Sequence, residues 1–97
     1  MDKQEKKLRT EFEQLNQQLL HPDVFGRTDY PTLAKRQGEL AKLISMFDER
    51  RKVAGQLAAG IEIAAGEDSE LAELAEAEQT ELKDKLTAIE ADISEAL

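Results

Sequence analysis

His21 is the only histidine of the 97-residue chain, and histidine is the side chain most often used to move protons in catalysis. Alone it forms neither a histidine pair nor a zinc set, and its place before Pro22 reads as a helix end or loop residue. The 21 acidic residues offer acid/base pairs in principle, but their helical spacing fits a solvated face. Ser45, Ser69 and Ser94 have no histidine in register and cysteine is absent, so the chain assembles no activated nucleophile. The five glycines, Gly26, Gly38, Gly55, Gly60 and Gly66, stand singly and build no phosphate-cradling loop. The expectation is a chain that is not an enzyme and takes no cofactor and no metal. A docking surface is what is left for function. The one basic triplet, Arg50, Arg51 and Lys52, is the partner-binding candidate; a solvated face paired to a neighbouring helix is the plainer reading of the same residues.

Charge narrows the partners. The net charge is −8, yet residues 1–66 carry eleven basic against ten acidic residues, while residues 67–97 carry two lysines, Lys83 and Lys85, against eleven acids. An acidic last third opposes a nucleic-acid surface, and no basic stripe interleaved with aromatics occurs, so direct charge-driven nucleic-acid binding is not expected. The opening "MDKQEKKLRTEFEQL" is too polar for a secretory signal, and the apolar-leaning run "AAGIEIAAG" is too short to span a bilayer. A soluble, cytoplasmic chain without a membrane partner is expected.

The elements that must position any docking surface are helices. With 40% hydrophobic, 35% charged and only 4% aromatic residues, the composition suits a thin bundle rather than a thick globule. Leu8, Phe12, Leu15 and Leu19 recur at spacings of four, three and four, which predicts an amphipathic helix over about 3–20 that stops at His21-Pro22. In "DVFGRTDY", Val24 and Phe25 are expected to tuck the loop inward. Asp29 is then a good cap, with Pro31 where a missing amide costs little, for a second helix over about 30–65. Its seam is Leu33, Leu40, Phe47, Ala54 and Ile61, seven apart, with Ile44, Ala58 and Ala65 on the flanking row. Gly55 and Gly60 weaken it and mark either a close helix approach or a frayed tip. Gly66 is a plausible stop, and Asp68 or Ser69 caps a third helix over about 69–97. Its expected apolar row is Leu71, Leu74 or Ala75, Leu82, Leu86, Ile89, Ile93 and Leu97. The fold class expected is all-α: a three-helix unit, one domain over 1–97, dominated by a long antiparallel helical hairpin with coiled-coil-like packing. Bases of the second helix, Lys35, Arg36, Lys42, Arg50, Arg51 and Lys52, are expected opposite acids of the third such as Glu78, Glu81, Glu90 and Glu95. Periodicity alone leaves two function classes open, a docking module and a free-standing structural or adaptor coiled coil that dimerises through its seam.

The order of these pieces resembles the N-terminal helical domain of bacterial class I peptide chain release factors. Pro22-Asp23-Val24 matches that family's turn after the first helix. Leu33 and Leu40 match the spacing that opens its long helix, and Asp68, Glu70, Leu71, Leu74, Ala75 and Glu78 match the opening of its acidic helix. The matches span nearly the whole chain. They depart from the pattern at Tyr30 and Ser69, where family members often place proline after the capping aspartate, and at Gly55 and Gly60. The family's peptide-releasing Gly-Gly-Gln and its codon-reading Pro-x-Thr or Ser-Pro-Phe tripeptides do not occur, so the resemblance implies a domain excised from a longer protein. It also implies a non-catalytic role in translation termination. Such a domain positions the factor on the ribosome near the stalk base of the large subunit, as a monomer, alongside the parent's other domains. "DSELAELAEAE" leans to the UAG/UAA-reading type and "HPDVF" to the UGA/UAA-reading type, and the former is the expectation.

Overall fold

The computed structural model describes residues 2–97, and among them every regular element is helical. Helix α1 runs Asp2–Leu19, a 3-10 turn runs Pro22–Gly26, α2 runs Tyr30–Ala64 and α3 runs Ser69–Ala96. The fold is all-α, and α2, with 35 residues, extends roughly 50 Å at the usual rise. The chain packs as two compact units, one ending at Ser45 and the other running Met46–Leu97.

In the first unit α1 packs through a row at spacings of three and four: Glu5, Leu8, Phe12, Leu15 and Leu19 are all buried or half-buried. The helix ends as His21-Pro22 dictates. The amides of Leu20 and His21 fall back on the carbonyls of Gln17 and Gln18, because the residue before a proline avoids the α conformation. In the turn that follows, Val24 is fully buried but Phe25 is 64% exposed. The expectation that both tuck inward is corrected here. Successive residues of a 3-10 turn lie a third of a turn apart, so only one of them faces the core. Phe25 instead meets Tyr30, ring centroids 5.1 Å apart and tilted by 56°. The Asp29 carbonyl accepts from the Leu33 amide at 3.0 Å, opening α2, while its carboxylate accepts from Arg27 Nη2 at 2.8 Å. On α2 the buried positions of this unit are Leu40 and Leu43.

The second unit is an antiparallel helical hairpin made of the later part of α2 and the whole of α3. Phe47, Val53, Ala75 and Ile93 form its core. The heptad seam expected to continue through Ala54 and Ile61 does not: Ala54 is exposed and Ile61 is 50% exposed. The row instead steps from Phe47 to Val53 and on through Leu57, Gly60 and Ala64, with Ala58 and Ala65 left outside. Burying Val53 and Leu57 removes more apolar surface from water than burying Ala54 and Ala58, and a helix near 3.6 residues per turn does not hold a strict seven-residue row over thirty residues. On α3 the inward row is Ala72, Ala75, Gln79, Leu82, Leu86, Ile89 and Ile93, a regular alternation of three and four. Ala75 rather than Leu74 belongs to it. Leu71 and Leu97, expected in the row, lie about half exposed.

The link between the two helices is short and specified. The Gly66 amide donates to the Ile63 carbonyl at 3.0 Å, and a Cβ at Gly66 would lie 3.2 Å from that same oxygen. Close approach, not a left-handed backbone, is what calls for glycine, since no glycine here has positive φ. Asp68 caps α3: its Oδ1 accepts from the amides of Glu70 and Leu71, both at 3.1 Å. Gly55 and Gly60 sit inside continuous helix, and a Cβ at either would meet nothing within 4 Å, so the packing of α2 against α3 requires neither.

Candidate functional site

The basic triplet lies on α2 in the second unit, where consecutive residues splay around the helix rather than share one face. Arg50 is half-buried, its guanidinium carbon 6.0 Å from the centroid of the Phe47 ring, a cation–π distance. Arg51 and Lys52 are exposed. The three candidates are therefore not equivalent: Arg50 lies over the Phe47 ring, whereas Arg51 and Lys52 are more exposed.

Two ion pairs show how charge is arranged on these helices. In the second unit Lys85 of α3 meets Glu49 of α2, Nζ to Oε1 at 3.3 Å, with the signs reversed. In the first unit Arg36 turns to α1. Its Nε and Nη2 donate to the two carboxylate oxygens of Glu11 at 2.7 and 2.9 Å, and its Nη1 donates to Glu39 at 3.5 Å. This fork geometry is what a planar guanidinium does best, and it corrects the expected pairing for Arg36. Hydrogen bonds from Arg36 hold the Glu11 carboxyl below its ordinary 4.5, against a smaller opposing effect of burial. Beside it, Gln37 Nε2 donates to Asn16 Oδ1 at 2.7 Å. Nearer the start of α1, Arg9 Nε donates to Glu5 at 2.9 Å, which compensates a glutamate only 8% exposed.

Two open apolar grooves escaped the sequence reading. One, of about 470 Å³, lies in the first unit between Phe12, Leu19, Leu20, Phe25, Tyr30 and Ala34. The other, of about 430 Å³, lies in the second unit and is lined by Ala59, Gly60 and Ile63 of α2 and Leu71, Leu74 and Leu82 of α3. The signal that could have found the second was the Leu74/Ala75 ambiguity, because two adjacent apolar positions on a thin helix cannot both face the core. Among the described residues no cluster of three or more histidine, aspartate or glutamate side chains could hold a metal ion, and no helix is long and apolar enough to cross a membrane.

The model of the PCRF domain matches residues 8–97. Peptide chain release factor 1 of Solidesulfovibrio magneticus is 34% identical over 85 residues, covering 87% of this chain and 24% of that protein. Peptide chain release factor 1 of Maridesulfovibrio salexigens is 30% identical over 83 residues, 84% of this chain and 23% of that protein. The chain thus spans about a quarter of the length of these curated relatives. No solved structure matches.

Proposed function

We propose, from the premise that the chain belongs to the PCRF domain family, that it acts in translation termination as the N-terminal helical domain of a class I peptide chain release factor. The family match over nearly the whole chain supports this reading most directly. Residues 1–97 are then one domain of a longer cytoplasmic factor. Its role is positional: it holds the factor on the ribosome near the stalk base of the large subunit, as a monomer, and leaves peptide release and codon reading to the parent's other domains. Hydrolysis is not assigned to these residues, which include neither a Gly-Gly-Gln nor a codon-reading tripeptide. The two release factor 1 relatives favour a parent of the UAG/UAA-reading type.

The test is binding of the chain to purified ribosomes. Saturable binding to large subunits is expected, competed by a full-length release factor; its absence would remove the positional role. Within that test the triplet is separable. Reversing Arg50, Arg51 and Lys52 to glutamate should weaken binding at unchanged helical circular dichroism, and equal affinity would exclude the triplet as the docking surface.

A further inference from the structure

The far end of the hairpin combines two features that its own fold does not use. The first is apolar. Leu71, Leu74 and Ile63 are 52%, 62% and 47% exposed, and with Ala59, Gly60 and Leu82 they line one open groove between the last turns of α2 and the first turns of α3. Large apolar side chains that converge on a single groove, rather than scatter, mark a binding surface. Alanine and glycine on the α2 side keep its floor low enough for another backbone to approach. The second feature is charge. Residues 53–82 contain no lysine or arginine and eight acids, and Glu78 itself lines the groove. Glu62, Glu70 and Glu73 are exposed nearby in sequence. A carboxylate in the groove, set in a stretch without a basic residue, repels phosphate backbones and anionic lipid and attracts a cationic partner.

We propose that this groove docks a basic amphipathic helix of a partner protein. Its apolar side chains, at i, i+3 or i+4 and i+7, fill the trough between α2 and α3, and its lysines and arginines meet Glu78 and the acidic stretch around it. The two helices of the hairpin end present the groove that a third helix fills in a bundle. This docking does not depend on the ribosomal role, because it uses a different face chemistry from the basic triplet.

The test is fluorescence anisotropy of the 97-residue chain with three labelled peptides and a labelled RNA oligonucleotide. One is a basic amphipathic helix with leucines at i, i+3, i+4 and i+7. The second carries the same leucines with glutamate in place of every lysine, and the third keeps the lysines but has serine at each leucine. Saturable binding of the first peptide alone is expected, weakened by added salt and by on the order of tenfold or more in Ile63→Ser/Leu74→Ser, with helicity unchanged. Both substituted residues are about half exposed or more, so folding should survive. Equal binding of the acidic peptide, undiminished binding by the double variant, or preference for an RNA oligonucleotide would overturn the proposal. So would concentration-dependent dimerisation of the chain that the double variant abolishes, since the occupant would then be a second copy.

Discussion

At the residue scale, the Glu11–Arg36 fork is the contact that most specifically ties α1 to α2. Its pH dependence has a definite sign. The Glu11 carboxyl titrates below its ordinary value of 4.5 in the folded chain, so the contact contributes fully above that value and is lost as pH falls through the lower, folded one. Both side chains are 40% or more exposed, and solvent screening limits the contribution to under about 1 kcal/mol. Glu11→Gln should therefore lower stability by a few tenths to about 1 kcal/mol at neutral pH and by nothing in acid; denaturant titrations of both proteins across that range measure the convergence. Gly55 provides the opposite case. It is exposed in mid-helix with open space where a Cβ would stand, so Gly55→Ala should raise stability by about 0.5–1 kcal/mol. An unchanged or lowered melting temperature would show that the glycine serves something other than the helix.

At the element scale, the hairpin depends on one cap and a narrow core. Asp68→Ala removes the acceptor for two amides of the first turn of α3 and should cost about 1 kcal/mol, with hydrogen exchange accelerated first at Glu70 and Leu71. The same elements show what sequence alone could reveal. The three helices, the proline stop after α1 and a cap at Asp68 or Ser69 were legible, because periodicity and capping are local properties. The inward face was most legible where one large apolar residue stood between polar neighbours, as at Leu15, Leu82 and Ile93. Where apolar residues were adjacent it failed at Ala54 beside Val53 and stayed open between Leu74 and Ala75, since there the packing partner decides which one turns inward. Charge pairing was the least legible. Exposed ion pairs are individually weak, so the abundant acids and bases admitted many pairings of similar energy. The basic triplet was visible as a run, but not the stacking of Arg50 over Phe47 that sets it apart from Arg51 and Lys52. The grooves were not visible, because they arise from residues that the cores leave out.

At the scale of the whole molecule, the charge distribution constrains how a ribosome can be approached at all. The chain carries a net −8, and its last 31 residues hold eleven acids and two lysines, so its average field repels rRNA. Docking as proposed must then rest on protein surfaces or on a few local cations. Each phosphate neutralised by a lysine or arginine releases counterions and steepens the salt dependence by roughly 0.7–0.9 in log–log slope. If Arg50, Arg51 and Lys52 all met phosphates, the slope would reach about −2 to −3 and would flatten toward zero when the three were reversed. If docking is protein-on-protein, the slope should be shallow in both proteins. Titrating the chain onto ribosomes over a series of potassium chloride concentrations separates these outcomes. We expect a slope shallower than about −3, because no other run of three basic residues exists to add to it. A steeper slope would mean that scattered cations such as Lys3, Lys6 and Lys7 of α1 act together on RNA, and that the first unit rather than the hairpin carries the docking.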